Sequence, residues 1–345
     1  MRKNDINSIE IARIAGVSRS TVSRVINNYP NVPQATREKV MQVIERYGYS
    51  PNFSARIMTG MKTLTIGLFL ISPEAIHDTL THALIGDVIE SASSRGYYVL
   101  THIIRSTGDT ETVRKVKDTF YQRRIDGGIF IGAANHEPFI EELIAKGFVA
   151  GIVDQHLEGR LEPNRVICNF DNKLGMKQGV DYLVGLGHRN IAFIAGDPLR
   201  CSGPERMEAF QDAMAAHGLK LNPDWVLTSD FSERSGYEST VRWLQSIPDL
   251  PTAIFACNDS VAFGALRALN EAGLRVPDDI SLMGFDDHLL SSRIQPALTT
   301  IRVNFSEMID MLTRQVIETI EDETQMFKKY VGTAELVIRD SCRKV

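Results

Sequence analysis

Six short polar or basic side chains, Ser18, Arg19, Ser20, Ser23, Arg24 and Asn27, crowd into the stretch GVSRSTVSRVINN at 16–28. A guanidinium offers paired donors that match a guanine edge, and serine and asparagine can each donate or accept towards base edges and phosphates. Placed about 100° apart on a helix, Val22, Val25 and Ile26 form one narrow apolar stripe, while Ser20, Ser23, Arg24 and Asn27 gather opposite. One face docks and the other is left for a polar partner. Ser18 is placed to cap this helix, since its hydroxyl can accept from an unpaired N–H of the first turn.

A second set of polar groups lies far downstream. Asp154, Asp230, Phe231, Asn258, Asp259, Asp286 and Asp287 each follow an apolar, β-rich run, and Arg206 sits early in a helix after the loop 196–204. Carboxylates, an amide, a guanidinium and one aromatic suit a hydroxyl-rich ligand, with Phe231 stacking on a sugar face. An acid after a strand is also the natural N-cap of the next helix. Asp259 is read as such a cap, and Asn258 and Asp286 as ligand-facing. The pair Asp286-Asp287 could serve as general acid and base. However, the chain holds no G-x-S-x-G, no P-loop, no His-rich metal pattern and no G-x-G-x-x-G, so it reads as a binding protein rather than an enzyme, with no cofactor and no metal. Its four cysteines are scattered without metal-type spacing, as expected of buried or incidental thiols in a reducing cytosol.

Elements must hold these groups in place. Asn7-Ser8-Ile9-Glu10 has the spacing of a capping box, Ile11, Ile14 and Ala15 give the following short helix an apolar side, and Gly16 marks its turn. A third amphipathic helix is predicted over about 34–47, with Val40, Val43 and Ile44 inward and Thr36, Arg37, Glu38 and Lys39 outside. Together these make a small all-α helix-turn-helix head. Residues 1–62 carry ten Lys and Arg against four acids, a net of +6, so the formal −5 of the whole chain leaves −11 for residues 63–345. A cationic head on an acidic body suits phosphate at one end and solubility at the other.

From Leu64 the chain alternates β-rich runs (64–71, 97–104, 127–131, 148–154, 190–196, 225–230, 252–259, 280–287) with predicted helices (82–94, 111–123, 137–146, 173–186, 205–217, 235–246, 260–272). That is repeated βα, hence parallel sheets covered by helices. The 345-residue length suits two α/β lobes with a cleft between them, where ligands bind at strand carboxyl ends. Between head and body, the segment 49–60 is predicted to be helical for about two turns, and Ile57 or Met58 could wedge into a minor groove. No signal-peptide h-region follows Met1 and no apolar run can span a bilayer, which points to a cytoplasmic protein without a membrane partner.

With head, linker and body assembled, the chain resembles the lactose-repressor (LacI/GalR) family of bacterial transcription regulators over essentially its whole length. The residues that carry this are IARIAGVS at 11–18, TVSRVIN at 21–27, TREKV at 36–40, YSPN at 49–52, GHR at 187–189, ND at 258–259, VPDDIS at 276–281, GFDD at 284–287 and PALTTI at 296–301. The resemblance implies a head over 1–48, a hinge over 49–62 and a two-lobed, periplasmic-binding-protein-like body over 63–345. Its N-lobe would comprise about 63–163 plus 289–322, and its C-lobe about 164–288 plus 323–342. It implies a homodimer reading a pseudo-palindromic, double-stranded DNA operator. Ser18, Arg19, Ser20, Thr21, Ser23, Arg24 and Asn27 would make base or backbone contacts. Asn52 to Met58 would form the hinge helix, with Asn52, Ala55, Arg56 and Met58 at the DNA, and methionine standing where the family usually has leucine. The effector, a small polar molecule such as a sugar or sugar derivative, would meet Ser72, Asp154, Arg206, Phe231, Asn258 and Asp286, although Ala209 stands where a glycine is usual. A family-typical ELVIR at 335–339 close to Val345, with no leucine-heptad extension, favours a dimer over a dimer of dimers.

Two other readings are open to the residues alone. One is a cytoplasmic solute-binding protein whose N-terminal helices dock another protein. The other is an enzyme acting on sugar phosphates in the cleft, with Asp286 as its nearest candidate group.

Overall fold

The computed structural model describes residues 6–26, 29–49, 62–72, 79–156, 159–246, 249–321 and 327–345. It divides into two compact units, Met1–Thr63 and Leu64–Val345.

The first unit holds three helices, α1 (Ser8–Ala15), α2 (Arg19–Ile26) and α3 (Gln34–Tyr47). The capping box forms as its spacing predicts: Asn7 Oδ1 accepts from the N–H groups of Ile9 and Glu10, and the Glu10 side chain returns to the Asn7 N–H. Gly16 ends α1 at φ 63°, a left-handed turn that glycine adopts without strain. Ile11, Ala12, Ala15, Val22, Val25, Val32 and Val40 close a small core, with Ile26, Val43 and Ile44 packed around it. Ile14 is not part of it; it is 38% exposed, and Ala12 takes the inward place. A core of small residues allows the three helices to approach closely, and the larger polar side chains are left outside.

The second unit contains two six-stranded sheets. The first is built from β1 (Thr65–Ile71), β2 (Tyr98–Ile104), β3 (Gly127–Ile131), β4 (Val149–Val153), β5 (Arg165–Phe170) and β11 (Lys328–Gly332). Their order is β11-β5-β4-β3-β1-β2, all parallel. The second contains β6 (Ile191–Ala195), β7 (Val226–Thr228), β8 (Ala253–Ala256), β9 (Ser281–Asp286), β10 (Thr299–Val303) and β12 (Ala334–Val337), in the order β12-β10-β9-β8-β6-β7. Here β12 alone runs antiparallel, along β10. The helices between them are α4 (Thr79–Ser94), α5 (Thr110–Tyr121), α6 (Pro138–Ala145), α7 (Asn172–Gly185), α8 (Ser202–Ala216), α9 (Glu233–Ser246), α10 (Asp259–Glu271) and α11 (Phe305–Glu321).

These pairings correct the expected lobe boundaries. β5 belongs to the first sheet although it follows residue 164, β10 to the second although it falls within 289–322, and β11 to the first although it follows 323. β5, β10, α11, β11 and β12 had no counterpart in the predicted run of βα units. The chain therefore crosses between lobes three times, after Phe170, before Phe305 and after Gly332. The crossings are tied together: the Asp171 N–H donates to the Gly332 carbonyl at 3.0 Å, and the Phe170 and Phe305 rings meet edge to face at 5.6 Å. Three linked strands of chain make a hinge that can bend without letting the lobes slide freely. An aromatic stack of Phe69, Phe120 and Phe130, with centroids 4.8 to 6.3 Å apart, fills one face of the first sheet.

Candidate functional site

In the head, α2 presents two different sides. Val22 and Val25 are buried, whereas Ser18, Arg19, Ser20, Ser23 and Arg24 are exposed and Thr21 is half-buried. The Ser18 hydroxyl accepts from the Thr21 N–H at 3.1 Å, so the predicted cap forms, and it also meets the Ser20 and Thr21 hydroxyls at 2.7 and 2.8 Å. Arg19 Nε donates to Ser8 Oγ at 3.2 Å, which draws its guanidinium towards the start of α1. Arg37, expected only to face solvent, instead reaches from α3 to donate to the Tyr29 carbonyl at 2.6 Å and the Val25 carbonyl at 3.5 Å, fixing the chain that leaves α2. Asn27, Asn52, Ala55, Arg56 and Met58, with the predicted hinge helix, lie outside the described residues.

In the body, a cavity of about 510 Å³ lies between the two sheets. Ser72, Arg206, Phe231, Asn258 and Asp286 are brought together on its wall. Arg206, on α8, is 2% exposed. Its Nε donates to Asn172 Oδ1 at 2.8 Å, one Nη to the Cys257 carbonyl, and the other to Asp286 Oδ1 at 3.4 Å. Its guanidinium lies 3.7 Å from the centroid of the Phe285 ring and 5.7 Å from that of Phe170. This arginine therefore joins the cavity floor to the first interlobe crossing. Phe231, at φ 72°, lies against Gly196, where any Cβ would run into its ring, and Arg200 stacks over it at 4.8 Å.

Two expectations change. Asn258, not Asp259, caps α10: its Oδ1 accepts from the Val261 N–H at 2.9 Å, and its Nδ2 donates to the Phe231 carbonyl at 3.0 Å. The amide thus positions Phe231 from the cavity wall. Asp259 is fully buried instead, taking the hydroxyls of Ser291 and Thr300 and the His288 N–H. Burial, followed by the nearby charge of Asp286, pushes its carboxyl up to about 7 against the pull of those three donors. Asp154 is not on the cavity wall. It is 1% exposed at φ 67°, with Arg200 Nε 3.8 Å from its carboxylate and, among the described residues, no hydrogen bond to either oxygen.

Asp287 turns away to pair with Arg302 at 2.7 Å and with Arg339, so the adjacent acids do not act as a pair. Asp230 lines the cavity; burial would raise its carboxyl, but hydrogen bonds from Ser232 and Ser235 outweigh that and hold it below its ordinary value. The sequence reading missed Arg200 and His288, which also line the cavity. Arg200 stands in the 196–204 loop already noted for preceding Arg206, and its position after a strand was the available signal. Among the described residues no group of His, Cys, Asp and Glu is placed to hold a metal, and no helix is long and apolar enough to cross a membrane.

Residues 9–52 match the family model for bacterial regulatory proteins of the lacI family, and residues 180–342 match that for a periplasmic binding protein-like domain. The chain is 32% identical over 335 residues to the HTH-type transcriptional repressor PurR of Pasteurella multocida, covering 97% of this chain and 98% of that protein. Among solved structures it is similar to the lac repressor dimer bound to operator and the anti-inducer ONPF, with a TM-score of 0.81 at 28% identity over 98% of this chain and 99% of the other. It is also similar to the transcriptional regulator CelR in complex with cellobiose, with a TM-score of 0.74 at 28% identity over 97% and 99%.

Proposed function

This chain belongs to the lacI family of bacterial regulatory proteins and is a DNA-binding transcriptional regulator; on that premise we infer that it is a repressor whose DNA affinity is set by a small polar effector in the interlobe cavity. Two copies would place two α2 helices in successive major grooves of a pseudo-palindromic operator. Arg19 and Ser20 would choose bases, while Ser18, Thr21, Ser23, Arg24 and Asn27 fix the helix on phosphates and neighbouring edges. The observation that carries the reading is the two-sidedness of α2: Val22 and Val25 are buried while a row of short polar and basic residues is exposed beside them.

Control follows from the body. A ligand touching Arg206 and Asp286 from one lobe and Ser72 from the other favours one lobe arrangement over the alternatives, and can shift the equilibrium only by that difference in affinity. DNA and effector are then reciprocally coupled through residues 49–62. Arg206, Phe231, Asn258, Asp286 and Ser72 are the proposed effector contacts. Asp154 acts on the ligand through Arg200.

The test is a titration of the purified protein onto fluorescently labelled duplex DNA at several salt concentrations. Each phosphate neutralised adds about −0.9 to the slope of log affinity against log salt, so a slope of about −4 or steeper supports the reading. Salt-independent association, or none, would favour a solute-binding protein with a docking head.

A further inference from the structure

A side chain at the start of α1 holds a base-reading side chain of α2. Ser8 is the first residue of α1, and its Oγ accepts from Arg19 Nε at 3.2 Å across eleven positions of sequence. This is the only hydrogen bond of the Arg19 side chain among the described residues. The point of attachment is rigid: Asn7 and Glu10 close the capping box on either side of Ser8, and Ile11, Ala12 and Ala15 pack with Val22 and Val25 in the head core. Ser20, by contrast, is tied within its own turn, to Ser18 at 2.7 Å.

Arg19 is exposed and Ser8 half-buried, so the bond competes with water and adds little to the stability of the head. Its consequence lies in where it leaves the guanidinium. An arginine loose in solvent samples many rotamers, and contact with a base must freeze them. With Nε engaged by Ser8, the plane of the guanidinium is set before DNA arrives, and the two Nη groups remain for an end-on, paired contact. That fork matches the adjacent acceptors O6 and N7, which guanine alone presents in the major groove.

Resting on the reading of α2 as the base-contacting helix, we propose that Ser8 is a specificity-determining residue of the head: its hydroxyl positions Arg19 for a guanine, and without that hydroxyl the same arginine reads its base pair loosely. Ser8 acts through Arg19 and makes no base contact of its own.

The test uses the full-length protein and the duplex it selects from a randomised library. The base pair whose preference Arg19→Ala relaxes is then varied in labelled duplexes, and affinities are measured at one fixed salt concentration. Guanine is expected at that position, and Ser8→Ala should cut the ratio of guanine to adenine affinity about fivefold, the worth of one net hydrogen bond, with ratios at the other positions unchanged. Ser8→Thr, which keeps the hydroxyl, should retain the ratio, and Ser8→Ala should have no further effect once Arg19 is alanine. A base other than guanine, an unchanged ratio in Ser8→Ala, or the same loss with and without Arg19 would overturn the proposal. Affinity lowered equally for every base would overturn it as well, leaving Ser8 a purely structural residue. If the unaltered protein selects no motif, the reading of α2 falls and takes the proposal with it, whereas a motif whose guanine preference ignores Ser8 strikes the proposal alone.

Discussion

Arg206→Met removes the guanidinium at the centre of the cavity floor while keeping an unbranched stem of similar length. Asp286, 8% exposed, loses the Arg206 cation, and the Asn172 amide oxygen and Cys257 carbonyl each lose a donor. Breaking a buried pair from one side costs about 3–5 kcal/mol because a desolvated charge is stranded. The long 3.4 Å contact and the adjacent cavity, which can admit water to Asp286, place the cost near the lower end, about 3 kcal/mol. That corresponds to a fall of about 6–12 °C in the melting temperature of a unit this size. The two tryptophans, Trp225 and Trp243, both lie in the C-lobe, so their fluorescence during heating or urea titration reports the unit affected. Arg206→Met with Asp286→Asn should recover more than half of the loss, since the second change removes the stranded charge. A cost below about 1 kcal/mol for the single variant, or a double variant equal to the sum of the singles, would refute the account of this floor.

Further outcomes follow from other parts of the molecule. Asp259 holds its proton up to about 7 in the folded body against an ordinary 3.8, so the folded state binds more protons between those values and stability falls as pH rises from about 4 to 7. Asp259→Asn should flatten that slope, by up to about 4 kcal/mol across the window, in urea titrations at each pH. Arg19→Ala should relax base choice at one operator position by about 1–3 kcal/mol, read by binding-site selection, with little change elsewhere in the site. Gly196→Ala puts a methyl group into the Phe231 ring and should weaken effector binding while DNA affinity is retained, as measured by calorimetry alongside DNA titration. Ser18→Ala should destabilise the head by about 1 kcal/mol through loss of the α2 cap.

Legibility in the sequence followed the range of the forces involved. The capping box at Asn7 and Glu10, the turn at Gly16 and the stripe of Val22 and Val25 are local devices, and their spacing is their structure. The βα repeats were legible for the same reason. The placing of β5, β10 and β11 was not: β5 and β10 join their sheets beside β4 and β9 with no helix among the described residues in between, and β11 pairs with β5 from more than 150 residues away. The exchange of roles between Asn258 and Asp259 has a comparable cause. Either residue can cap a helix, and only the hydroxyls of Ser291 and Thr300, from distant parts of the chain, make a buried carboxylate tenable at 259. Asp154 was legible as a polar residue after a strand, but its direction was not: the left-handed backbone there turns it towards Arg200 and out of the cavity wall.

Whether the exposed face of α2 reads DNA under control of the cavity is decided by selecting the genomic fragments of the source organism that the purified protein retains at moderate salt. An enriched inverted repeat is expected, with half-sites separated by about one to two helical turns, and it should be lost when Arg19 and Arg24 are replaced by alanine. Retention of fragments without a shared motif, or of none with and without candidate sugars, would contradict this reading.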